Sequence, residues 1–156
     1  MKEIKITALV QSYKRDEIPP RYQDIIDAAK AATARSYAPY SKFHVVAAIR
    51  LGNGEIVCGA NQENAAFSVT ECGERSACFY AASQWPDVPF LQIAIAAFTE
   101  GSFQRLPISP CGICRQALLE YETKQHKDIE VILYGEDEIF VLPSVKSLLP
   151  LCFTEF

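Results

Sequence analysis

Residues 45–58, VVAAIRLGNGEIVC, read as two β-strands joined by a tight turn, and they set the fold class. The apolar run 45–49 and the shorter run 56–58 flank Asn53-Gly54. An Asn-Gly pair between apolar runs is a strong hairpin signal, because a primed turn needs positive φ at both central residues. On the N-terminal side, Ile25, Ile26, Ala28, Ala29 and Ala32 recur at helical spacing and predict an amphipathic helix over 21–35, stopped by Ala38-Pro39. On the C-terminal side a polar loop, 61–64, leads to a helix over 71–83 that ends at Trp85-Pro86. The run 91–98 is continuously apolar, as expected of a buried strand. A loop bracketed by Pro107 and Pro110 opens a helix over 111–122, followed by strands at 129–133 and 139–142 and a short helix at 145–149. This order predicts an α/β domain on a mixed sheet of about five strands, with the hairpin at one side and helical crossovers elsewhere. Residues 1–20 read as a lead-in in which Ile4 and Ile6 alternate with Lys5 before Pro19-Pro20 stops any element, leaving 21–156 as the folded domain.

Composition limits what such a domain can do. A chain of 156 residues fits one domain, and its net charge is −4 with a pI near 5.2. No run of Lys or Arg is longer than Lys14-Arg15, whereas a protein gripping a phosphate backbone carries a basic stripe, so a polymeric nucleic acid is not the expected partner. No apolar run reaches bilayer length, and the N-terminus lacks the apolar core of a secretory signal. The expected compartment is therefore the reducing cytoplasm, with no membrane partner. There, cysteines are kept for metal or chemistry more often than for disulfides.

Two motifs hold four of the six cysteines: TECGERSAC at 70–78 and SPCGICRQ at 109–116. Cys111 and Cys114 form a C-x-x-C at a loop-to-helix junction, a spacing shared by zinc sites and thioredoxin-like redox sites. Cys72 also opens a predicted helix, so two helix starts can bring three thiolates to one ion. Three ligands leave the fourth tetrahedral position for water or substrate, which is what a catalytic zinc needs. Glu74, two residues after Cys72, can then do general acid–base work without being a ligand. Acidic residues are also favoured at helix starts by the macrodipole alone. Three thiolates around a dication leave a net negative charge, and Arg75 and Arg115 are expected to donate to the sulfurs. Cys58, Cys78 and Cys152 read as small hydrophobes. A redox or zinc-stabilised interaction protein using Cys111 and Cys114 remains the competing, non-enzymatic reading.

With these motifs in register, the chain resembles the short cytidine deaminases that act on free nucleosides. The resemblance rests on SYAPYSKF (36–43), NQENAAF (61–67), TECGER (70–75), SPCGICRQ (109–116) and LLPLCF (148–153), in order from about residue 21 to 153. It implies a three-layer α/β/α fold with one Zn²⁺ per subunit on Cys72, Cys111 and Cys114, and Glu74 as proton shuttle. It also implies Phe43 on the pyrimidine face, Asn61 and Glu63 on the ribose hydroxyls, and backbone groups of Gly73 and Ser109 near the base. The implied reaction is hydrolytic deamination of cytidine and deoxycytidine to uridine and deoxyuridine in pyrimidine salvage. Members are homotetramers, which makes Phe67 and Phe153 candidates for lining a neighbour's site, with core packing the alternative. Gly73 stands where the family usually has Ala, implying a slightly looser helix start with activity retained. His44 and Val46 lie in FHVVAA, where the family usually has Gly at the Val46 position, implying altered packing behind Phe43. A modified nucleoside is the alternative substrate that these departures suggest.

Overall fold

The computed structural model describes residues 1–154; positions 155 and 156 of the expected domain lie outside the described residues. Its elements are β1 (Gln11–Tyr13), α1 (Gln23–Ala31), β2 (His44–Leu51), β3 (Ile56–Ala60), α2 (Gly73–Gln84), β4 (Phe90–Thr99), β5 (Ser102–Phe103), α3 (Gly112–Lys124), β6 (Glu130–Tyr134) and β7 (Ile139–Leu142). Short 3-10 turns cover Pro20–Tyr22, Ala32–Arg35, Phe67–Val69 and Val145–Leu148. The strands form one seven-stranded mixed sheet in the order β1-β7-β6-β4-β2-β3, with β5 added on β4. The expectation of about five strands fell short at both extra strands. β1 comes from the lead-in, where Gln11, Ser12 and Tyr13 pair antiparallel with Val141, Phe140 and Ile139. β5 is a two-residue return from β4. Neither is long enough to show alternation in sequence.

Side-chain alternation splits the strands cleanly between two cores. Ala47, Ile49, Ile93, Ile95, Val131 and Leu133 face α2 and α3, against Ala77, Ala81, Leu118 and Leu119. Ala48, Ala94, Ala96, Ile132 and Val141 face the opposite way, against Ile25, Ile26 and Ala29 of α1 and Tyr22 of the turn before it. Three layers result, as expected, with α1 alone on one face. Val46 belongs to the α1 side, buried against Ala32 and Ala60. Its side chain points away from α2 and α3, toward these small neighbours.

The hairpin turn differs from the expected primed type. Leu51 N donates to Glu55 O (2.9 Å) and Gly54 N to Leu51 O (3.0 Å), enclosing the three-residue loop Gly52-Asn53-Gly54. Only Gly54 has positive φ there, at 91°. This is the alternative in which one left-handed glycine closes the strands through a bulge. Gly52 is drawn out of a two-residue turn by its N–H, which donates to Pro89 O (2.8 Å).

Strand direction positions the site. β3 and β4 both run antiparallel to the intervening β2, so they are parallel to each other, and β6 is parallel to β4. α2 follows β3 and α3 follows β4, on the same face. Both helices therefore begin at the carboxyl edge of the sheet, where open α/β folds place their ligands.

Candidate metal and catalytic site

Cys72 is the N-cap residue of α2 and Cys111 the N-cap residue of α3, both in extended conformation with side chains that make no capping bond. Cys114 sits in the first turn of α3, fully buried. The three sulfurs all lie within 4.8 Å of one another, and Cys111 Sγ is 3.5 Å from Cys114 Sγ. All three are free thiols. Tetrahedral zinc thiolates with bonds near 2.3 Å hold their sulfurs roughly 3.8 Å apart. The spacing therefore fits three corners of a zinc tetrahedron, and the donor set is the soft one that zinc favours. Without metal the cluster shares its protons unequally. The Cys72 thiol is pushed down to about 5, chiefly because Cys114 donates to it, with help from Arg75. Cys114, donating to Cys72 and buried, is pushed up.

Glu74 lies in the first turn of α2 and is 4% exposed. Burial raises its carboxyl pKa to about 7, and the Cys72 charge adds to the rise. A carboxyl poised there can both take and give a proton near neutral pH. Arg75 takes the expected place: its Nη2 is 3.8 Å from Cys72 Sγ, and its Nε lies 2.9 Å from Glu71 Oε1. Glu71 Oε1 accepts from Cys72 N (2.9 Å) and pairs its charge with Arg75, so it braces both Cys72 and the arginine, a role that sequence reasoning missed.

Arg115 does not reach the sulfurs. Its three nitrogens each donate to an oxygen: Nε to Pro110 O (2.8 Å), Nη1 to Leu148 O (2.8 Å) and Nη2 to Ser109 Oγ (2.9 Å). It instead clamps the loop that leads into Cys111 to the 3-10 turn near the C-terminus. A guanidinium fork satisfies three oxygens at once more readily than it satisfies diffuse sulfur acceptors. Cys58 and Cys78 pack as expected, whereas Cys152 is exposed and its thiol lies 3.2 Å from Leu149 O. An apolar sequence context, LLPLCF, did not reveal that the chain leaves the core there.

The nucleoside-motif residues converge on the same edge. Gln62 and Glu71 exchange backbone hydrogen bonds at 2.9 Å, tying the N-x-E-N loop to the residue before Cys72. Asn61 accepts from Val45 N (2.9 Å) through Oδ1 and donates to Phe43 O (2.9 Å) through Nδ2. Glu63 Oε2 accepts from Tyr40 N (2.9 Å) and Ser41 N (3.3 Å). Phe43, half-buried, follows Lys42, whose positive φ of 57° turns the chain into β2. Phe67 and Phe153 are 84% and 63% exposed, which removes core packing as their role.

Gly73 reverses one expectation. A Cβ placed on it would meet Val45 O at 2.6 Å and Gly59 O at 3.2 Å. The glycine therefore lets the first turn of α2 sit directly on β2 and β3; it does not loosen the helix start. Gly73→Ala is expected to lower stability by about 1–3 kcal/mol through overpacking. Because the forced shift falls between Cys72 and Glu74, turnover should drop about tenfold or more. Thermal melts and steady-state kinetics on one preparation check both.

Comparison with known proteins agrees with this geometry. Residues 20–127 match the model of the cytidine and deoxycytidylate deaminase zinc-binding region. The chain belongs to that family. A cytidine deaminase from Halalkalibacterium halodurans is 38% identical over 133 residues, spanning 85% of this chain and 93% of the relative. One from Sporosarcina psychrophila is 43% identical over 99 residues, 64% of this chain and 68% of the relative. Among solved structures, cytidine deaminase from Burkholderia pseudomallei superposes with a TM-score of 0.72 at 38% identity, covering 85% of this chain and 98% of that one. Cytidine deaminase from Mycobacterium tuberculosis gives 0.68 at 28% identity, covering 86% and 98%. The family match and the moderate identities place this chain among enzymes of the deaminase type, on the deaminase fold.

Proposed function

We propose that the chain is a zinc-dependent hydrolase that deaminates free cytidine and deoxycytidine to uridine and deoxyuridine, in the cytoplasm, as part of pyrimidine salvage. The observation that carries this reading is the set of three free thiols within 4.8 Å of one another beside the buried Glu74. Cys72, Cys111 and Cys114 hold one Zn²⁺ per subunit. When bound, zinc supplies the Lewis acidity that makes water at its open position a nucleophile near neutral pH. Glu74 would take a proton from the attacking water and pass it to N3 as the C4–O bond forms, then take the proton of the new C4 hydroxyl and pass it to the amine, so that the C4–N bond breaks and ammonia leaves. The N-terminal ends of α2 and α3, with Arg75, offset the negative charge of three thiolates. Backbone groups of Gly73 and Ser109 meet the base, and Arg115 keeps the Ser109–Pro110 segment in place. Phe43 packs on the pyrimidine face. Asn61 donates its remaining Nδ2 hydrogen to a ribose hydroxyl oxygen, and the Glu63 carboxylate accepts from a ribose hydroxyl.

The deciding experiment follows the ultraviolet change from cytidine to uridine alongside metal analysis of the same preparation. Turnover should require bound zinc, disappear on chelation and return on zinc addition. A zinc-loaded protein that leaves cytidine unchanged overturns the reading. No helix among the described residues is long and apolar enough to cross a membrane.

Exposure of Phe67, Val69, Phe79, Tyr80 and Ile113 supports the homotetramer, because a single chain leaves these large apolar side chains in water. Phe67→Glu is expected to lower the sedimenting mass below four chains and to raise KM for cytidine by about an order of magnitude, as expected for losing a buried aromatic anchor. An unchanged mass, or a lower mass with unchanged KM, removes Phe67 from the neighbouring site.

A further inference from the structure

The ribose-facing Asn61 has a second set of partners, Ser36 and behind it His44, to which the resemblance assigns no role. Ser36 Oγ donates to Asn61 Oδ1, and His44 Nδ1 lies 3.0 Å from the same Ser36 Oγ. We propose that His44 is a positioning residue: its Nδ1–H, acting through the Ser36 hydroxyl, fixes the Asn61 amide in the orientation that meets the sugar. The proposal rests on the reading of Asn61 as a ribose contact.

Proton order makes the chain directional. Val45 N–H needs an acceptor and Phe43 C=O needs a donor, so the Asn61 oxygen must face Val45 and its nitrogen must face Phe43. A hydroxyl has one hydrogen to give. Once Ser36 donates it to Asn61 Oδ1, Ser36 Oγ can only accept from His44, which requires the proton on Nδ1. Asn61 Oδ1 then has both lone pairs engaged, and one Nδ2 hydrogen is left for an acceptor on the ligand, such as a sugar hydroxyl oxygen. If the proton sits on Nε2 instead, Ser36 donates to His44 and Asn61 loses one of the bonds that orient it. The imidazole is held for this duty from outside as well: His44 pairs with Phe98 across β2 and β4, with the two ring centroids 6.4 Å apart. Ser36, the last residue before the Tyr37 bridge to the N-x-E-N loop, is fixed by its own N–H to Thr33 O (3.1 Å).

The test compares wild type with His44→Leu, Ser36→Ala and His44→Asn, using cytidine as substrate and 2′,3′-dideoxycytidine as competing inhibitor. Losing the relay should raise KM for cytidine about five- to tenfold in His44→Leu and Ser36→Ala, the scale of one hydrogen bond. Here kcat should hold steady, and the inhibition constant of the dideoxy compound, which lacks the hydroxyls, should not move. His44→Asn, whose amide nitrogen stands near the Nδ1 position, should restore KM. In wild type, nitrogen-15 spectra should show His44 protonated at Nδ1. A neutral Nε2–H tautomer, or equal weakening of cytidine and dideoxycytidine in both variants, overturns the proposal. If wild type turns over no cytosine nucleoside, the functional reading fails, while the tautomer alone still decides for or against the relay.

Discussion

Glu74→Gln should give a folded protein with undiminished zinc content whose cytidine turnover is lower by about 10²–10⁴-fold. Glutamine keeps the size and the hydrogen-bonding oxygen but can neither take nor return a proton. The loss should therefore fall on kcat, with KM little changed. A second readout separates this from a packing effect. In the metal-free wild type the folded Glu74 carboxyl titrates near 7 against an ordinary value of 4.5. The folded state thus holds the proton more tightly than the unfolded one between those values. Its stabilising contribution is full below about pH 4.5 and is lost as pH rises through 7. The glutamine variant should lack this component of the pH dependence in chelated samples. A variant with wild-type turnover, or one that loses zinc in proportion to activity, removes Glu74 from the proton path.

Glu122→Ala should cost about 3–5 kcal/mol, among the largest stability effects of any single change here. Glu122 is 1% exposed, near the end of α3. Its Oε2 accepts from Ile129 N and Val145 N, each at 2.8 Å. Its Oε1 accepts from Ser144 Oγ (2.7 Å) and Lys146 N (3.3 Å). Removing the carboxyl leaves buried donors without acceptors, and each costs about 1–3 kcal/mol. For a domain of this size the melting temperature should fall by roughly 10 °C. Glu122→Gln should recover little, because its amide nitrogen would face N–H groups that need an oxygen. Calorimetry on both variants checks this, and a loss under about 1 kcal/mol in either would show that water replaces the carboxyl. The effect should reach the active site. The 3-10 turn Val145–Leu148 is held at its start by Glu122 and at its end by Arg115, which also grips the loop before Cys111.

Much of this site was legible in sequence because its parts are local. Cys72 with Glu74, and Cys111 with Cys114, lie within one helical turn of each other, so spacing alone fixes their relative reach. Two of the longer elements were legible for the same reason, since α1 carries a helical period and β4 a continuous apolar stretch. What escaped were groups whose partners are distant in sequence. Arg115 looks like a sulfur donor beside Cys114 until Leu148, 33 residues away, is found on its guanidinium. Glu122 reads as an ordinary helix glutamate until Ser144 and Val145 are brought to it. β1 is a short polar stretch that becomes a strand only because β7 offers an open edge.

By itself, the sequence pointed to Cys72, Cys111, Cys114 and Glu74 as the candidate site and to a layered α/β class, because helical spacing and thiol chemistry act over a few residues. Tertiary structure decided that the two helix starts meet. β3 and β4 run parallel with β2 between them, and that strand order delivers Cys72 and Cys111 to one edge of the sheet. It also decided that Gly73 is a close-packing residue and that His44 stands behind Asn61. Both depend on atoms from separate strands, whose approach no local pattern encodes.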